Sequence, residues 1–197
     1  MKNQNYFALD LELNNKNDGT QPRIIEVGLA IGSPLEPEKI HTFNWYLNPE
    51  QPIAEAITRL TGIDDALIAL HSVSHDDVAK ELGEALTRFS CFVNPITWGQ
   101  GDASELRNEF QARSIPFPHF GRRIFDVKTL QCFDQIVKGK NPAGGLKNAM
   151  ASHKLPFMGT PHRAKDDALN TLRFFFFFLN KEARRQSLLA SLADTTR

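Results

Sequence analysis

Cysteine is nearly absent from this chain. Cys91 and Cys132 are the whole supply, and their wide separation excludes both a Cys-x-x-Cys metal pattern and a disulfide framework. Long apolar runs are also missing. The densest candidate, Phe174–Phe178, is bracketed by Arg173 and Lys181 and is far shorter than the ~20 residues a membrane span requires. The N-terminus leads into a strand-like run without the ~7–15-residue apolar stretch of a secretory signal, so a cytoplasmic protein with no membrane association is expected. No internal repeat is present. Net charge is absent as well, with 23 basic and 23 acidic residues, but the balance is uneven along the chain. Residues 1–90 carry seven basic and fourteen acidic side chains, against sixteen and nine in 91–197. A basic second half that includes Arg122, Arg123, Lys138, Lys140 and Lys147 suits phosphate contacts as well as it suits a solvated surface. A length of 197 residues fits one domain, 1–197, whose last segment, 182–197, is expected to be a C-terminal helix packing on it.

What is present reads as an α/β chain. Tyr6–Leu13, Ile24–Ile31 and Ile40–Leu47 are strand-like runs separated by turn residues, so three antiparallel strands come first. Val78, Leu82, Leu86 and Phe89 then fall at helical spacing, and Pro95–Trp98 reads as a short buried strand. Helices are predicted over 103–112, 127–137, 145–152, 163–179 and 182–192. Strands followed by alternating helix and strand indicate a layered α/β domain. On a helix, the five rings of Phe174–Phe178 point in every direction and need cover on all sides. Burial between the sheet and the last helix, through Leu188, Leu189 and Leu192, is the expected cover; any rings left bare would form a surface for a homodimer or a protein partner.

Several acidic residues sit where chemistry is possible. Asp10 and Glu12 are two apart on a strand, so both carboxylates share one face and repel. A divalent cation turns that repulsion into coordination, whereas a solvated strand edge accommodates it without function. Asp102 follows Trp98-Gly99-Gln100-Gly101, where a strand end delivers an acid to the sheet edge; a helix N-cap explains it equally. His162 precedes a helix that carries Asp167. A neutral imidazole there suits proton abstraction, and a plain surface histidine is the alternative.

Together these stretches resemble the DEDDh-type 3′→5′ exonuclease family over nearly the whole chain. The matching segments are Phe7–Glu12, Ile24–Gly28, Leu60–Ile63, Trp98–Asp102 and Gly159–Asn170. The last has the His-Arg-Ala-x-Asp-Asp-Ala-x-Asn form of the branch with Eri-1-like RNA-trimming enzymes and sporulation-kinase-inhibitor-like exonucleases. The resemblance implies an RNase H-like fold, a central mixed sheet flanked by helices. It further implies two divalent cations, Mg²⁺ or Mn²⁺, at Asp10, Glu12, Asp102 and Asp167, with His162 as general base and Asp166 not a ligand. The implied substrate is the 3′ end of single-stranded nucleic acid, RNA favoured over DNA. Leu13, Thr61, Gly62 and Ile63 occupy positions that contact the terminal nucleotide in the family, although a turn into the next helix also explains Thr61-Gly62. Leu13-Asn14 replace small polar residues found in many relatives, which leaves sugar discrimination open. A nuclease-like module that regulates a partner protein, and a DNA proofreading subunit, are the alternatives.

Overall fold

The computed structural model describes residues 4–15, 21–117, 120–121, 123–142 and 144–195, with side chains through residue 191. Arg122 and the Leu192 side chain therefore lie outside the described residues.

Strands β1 (Tyr6–Asn14), β2 (Arg23–Gly32) and β3 (His41–Leu47) pair antiparallel. Two-residue strands complete a six-stranded mixed sheet: β4 (Ser72–Val73) beside β3, β5 (Ile96–Thr97) beside β1, and β6 (Phe125–Asp126) beside β5, all parallel to their neighbours. The expected three-strand opening is observed; β4 and β6 are too short to leave a periodic signal in the sequence. The helices are α1 (Glu55–Thr61), α2 (Asp65–His71), α3 (His75–Arg88), α4 (Asp102–Ala112), α5 (Val127–Val137), α6 (Leu146–Ser152) and α7 (Ala164–Thr195).

The pleat of β1 sorts its side chains between two layers. Phe7, Leu9 and Leu11 point into a core formed with α3 and α4 through Val78, Leu82, Leu106 and Phe110. Ala8 points the other way, into a core shared with α5, α6 and α7. Asp10 and Glu12 follow Ala8 at period two and so lie on the α7 face.

One expectation about the C-terminus needs correction. No break separates 163–179 from 182–192; α7 is a single helix of 32 residues, so no separate last helix folds back over the phenylalanines. Leu188 and Leu189 are 65% and 50% exposed. The sheet face covers the rings as expected, and α6 takes the place of the last helix. Phe174 stacks on Trp98, Phe175 packs against Tyr6 and Phe125, and His153 contacts Phe174, Phe177 and Phe178. Phe174, Phe175 and Phe176 are buried and Phe177 and Phe178 partly so, which leaves little of the run for a partner. No helix among the described residues is long and apolar enough to cross a membrane, and both cysteines are free.

Candidate active site

Two glycines determine how the site closes. Gly28 lies directly across from Asp10 in the β1–β2 register. A Cβ there would fall 2.1 Å from the backbone carbonyl of Ala164, so only glycine lets the first turn of α7 rest on the sheet beside Asp10 and Glu12. Gly101, at φ 128°, forms the N-cap of α4 without a side-chain bond, and Asp102 is the first helical residue. Asp102 is thus not the cap. Its carboxylate instead accepts from its own amide and that of Leu11, which brings it to β1 near Asp10.

Asp167 arrives from the first turns of α7, where its Oδ2 accepts the His162 amide at 2.8 Å. His162 holds a left-handed backbone, φ 62°, and its side chain is exposed. Glu12, His162 and Asp167 offer ligand-capable atoms that all lie within 4.8 Å of one another. Asp166 is occupied elsewhere. It accepts the Thr160 amide at 2.8 Å and fills the space over Gly159, whose φ is +80°, so it shapes the loop before α7 rather than the site.

Burial and mutual repulsion push every carboxyl in this group upward. Asp10 is raised well above its ordinary value, first by burial and then by the charges of Asp102, Asp167, Glu12 and Glu26. Glu12 is pushed up to about 8, chiefly by burial and the charges of Asp167 and Glu26, with Arg163 opposing. Burial takes Asp102 to about 7 against the amides that bond it, and Asp167 to about 6 against the His162 amide and charge. Folding has gathered four acids where none is comfortable ionised. An all-oxygen donor set with surplus negative charge fits a hard divalent cation such as Mg²⁺ or Mn²⁺ and offers no thiolate for softer ions.

The sequence reading assigned no role to Glu26. It faces Glu12 across β1–β2 and is fully buried. Its carboxylate accepts Arg163 Nη2 at 2.9 Å and the Ala164 amide at 2.9 Å, while Arg163 also reaches the Tyr46 hydroxyl and lies over its ring. Glu26 therefore caps α7 and fixes the backbone on which His162 and Asp167 ride. Its signal in the sequence was a lone acid amid the apolar run of β2.

Asp10, Glu12, His162 and Asp167 line one open cleft of about 460 Å³, with Trp98, Leu146, Lys147 and Asn148 on the opposite wall. Leu13, Thr61, Gly62 and Ile63 are not in that lining. Leu13 packs against the α3–α4 core. Thr61 is buried, its hydroxyl donating to Ile57 O and accepting from the Ile63 amide. Gly62 ends α1 at φ 74°, and Ile63 is fully buried with Ile25, Ile53 and Ile68. The turn reading of Thr61-Gly62 is the one observed. Asn14 is also structural, tying the end of β1 to Pro52 and Ala54.

A family model described as exonuclease, of the RNase T type, matches residues 7–175. The chain belongs to the DEDDh-type 3′→5′ exonuclease family. It is a nuclease, in a family that uses divalent metal ions. This exonuclease is 25% identical over 160 residues to the probable 3′-5′ exonuclease KapD of Bacillus subtilis (strain 168), an alignment spanning 78% of this chain and 72% of KapD. Its fold matches the nuclease domain of 3′hExo, a DEDDh family member bound to rAMP, with TM-score 0.76 and 18% identity over 91% of this chain and 93% of that one. It also matches E. coli exonuclease I in complex with a dA16 oligonucleotide, with TM-score 0.69 and 12% identity over 92% of this chain and 42% of the other. The exonuclease therefore has the RNase H-like architecture that the resemblance implied.

Proposed function

We propose that this exonuclease, acting as one domain over 1–197, removes nucleoside 5′-monophosphates from the 3′ end of single-stranded nucleic acid, RNA in preference to DNA. The observation that carries the reading is the convergence of Asp10, Glu12 and Asp167, from β1 and α7, on one cleft with the exposed His162, with Asp102 of α4 near enough for its charge to act on Asp10. Asp10, Glu12 and Asp167 would hold two Mg²⁺ or Mn²⁺ ions, with Asp102 contributing through water. Bound there, the ions supply Lewis-acid stabilisation of the phosphate charge. His162, outside the carboxylate cluster yet adjacent to it, takes the proton from the attacking water. Attack on phosphorus breaks the bond to the 3′ oxygen of the preceding nucleotide, which leaves as a new 3′ hydroxyl. Trp98 and Leu146 give the cleft apolar walls suited to a terminal base, and its volume falls within the range of small-molecule pockets. The RNA preference is supported by the ribonucleotide held by the similar 3′hExo domain.

The test is incubation of the protein and Mg²⁺ or Mn²⁺ with labelled single-stranded RNA and DNA, with free or blocked 3′ ends. Mononucleotide release from free 3′ ends alone, faster from RNA, is expected. Efficient cutting of circular or blocked substrate would exclude the end-directed mechanism, and faster release from DNA would overturn the RNA preference.

A further inference from the structure

Helix α5 is built inside out. Its buried side carries Gln131, Asp134 and Gln135 along with Val127, while Leu130, Phe133, Ile136 and Val137 face outward. At 100° per residue these four apolar side chains fall on one face. Phe133, Ile136 and Val137 are 68%, 65% and 69% exposed, a contiguous apolar surface of the kind that marks a binding site.

The charge around that face identifies its occupant. Residues 127–154 hold five lysines and a single acid, Asp134. Asp134 is buried and already paired with Lys138 at 2.7 Å and with Lys181. The exposed charge of this stretch is therefore positive, carried among others by Lys128, Lys140 and Lys147. Two of these lysines reach the catalytic cleft or the turn beside it. Lys147 lines the cleft, and the Lys128 side chain lies against Gly99 in the turn that presents Asp102. A second copy docking α5 on α5 would set lysines against lysines. A polyanion with apolar planar faces meets both the charge and the stripe.

We propose that the outward face of α5, centred on Phe133, with Lys128 at the N-terminal end of the helix, Lys140 beyond its C-terminal end and Lys147 at the cleft, is the track for the single strand leading into the cleft. This rests on the exonuclease reading above. Bases lie on Phe133 and its aliphatic neighbours, and phosphates meet the lysines, along about 14 Å of helix.

The test is binding of a labelled single strand of about 16 nucleotides in chelator, with a salt titration, beside steady-state hydrolysis in Mg²⁺ of that strand and of a dinucleotide. Phe133→Ala should raise Kd for the long strand about fivefold or more, and Phe133→Tyr should restore it. The double variant Lys128→Ala/Lys140→Ala should flatten the log Kd against log salt slope by about 1.4. Both should raise KM for the long strand, and Phe133→Ala should leave kcat/KM for the dinucleotide unchanged. If the wild type hydrolyses neither substrate, the exonuclease reading fails while the binding series still judges the track. Unchanged Kd and salt slope in the variants would overturn the track. So would a wild-type dimer that Phe133→Ala dissociates with Kd unaltered, which would make the stripe an interface between copies.

Discussion

At the scale of residues, four acids share one small volume. Glu12, Asp102 and Asp167 are held near 8, 7 and 6 in the folded chain, above the ordinary carboxyl values they regain on unfolding. Their protonated forms are therefore the ones the fold favours. That contribution is complete below about pH 4 and is lost as pH rises through about 6 to 8. In chelator the melting temperature is expected to fall between about pH 5 and pH 8, and added Mg²⁺ or Mn²⁺ should reverse the fall at pH 8. Asp10→Asn should flatten the profile and keep or raise the metal-free melting temperature while abolishing activity, as read by thermal denaturation beside an activity assay. Glu26 is fully buried and paired with Arg163. Glu26→Gln leaves Arg163 without its ion partner and should cost about 3–5 kcal/mol in chemical denaturation. Asp10 and Glu12 were legible in the sequence because a period-two pattern places both on one face. Glu26 was not, because its meaning depends on Arg163, 137 residues away. Ile63 carries two readings in the sequence, because an apolar residue after a turn fits a base contact and a core position equally; in the fold it packs with Ile25, Ile53 and Ile68.

At the scale of elements, the contact between β2 and the start of α7 governs the site. Gly28→Ala would drive a methyl group into the Ala164 carbonyl and lift α7 from the sheet. A loss of about 1–3 kcal/mol or more is expected by denaturant titration, together with a fall in turnover because Asp167 and His162 move with the helix. The uninterrupted length of α7 was not legible, since the sequence around Asn180 and Lys181 offers polar residues but neither glycine nor proline to stop a helix. The expected two helices differ from the observed one by the absence of any such breaker. Beyond Lys181, which pairs with Asp134, the described part of α7 is largely exposed. A chain ending after Lys181 should therefore keep its melting temperature within a few degrees and retain activity on short substrates; a collapse would show that the distal helix contributes to the core.

At the scale of the whole molecule, a mixed sheet sandwiched by α3 and α4 on one side and α5, α6 and α7 on the other brings residues from positions 10 to 167 to one cleft. The layered order and the strand opening were legible from hydrophobic periodicity. The two-residue strands and the inside-out α5 were not, because their side chains are explained by neighbours and partners rather than by local pattern. In the function proposed above, this convergence is a metal-dependent hydrolytic centre in which His162 moves a proton and Asp167 holds metal. It is tested most directly by measuring Mg²⁺ or Mn²⁺ binding by calorimetry and turnover of a single-stranded oligonucleotide for the wild type, His162→Ala and Asp167→Asn. His162→Ala should bind metal almost as the wild type does and turn over roughly 10²–10⁴-fold more slowly, whereas Asp167→Asn should lose metal affinity and activity together. Wild-type turnover in His162→Ala, or unaltered metal binding in Asp167→Asn, would contradict the account.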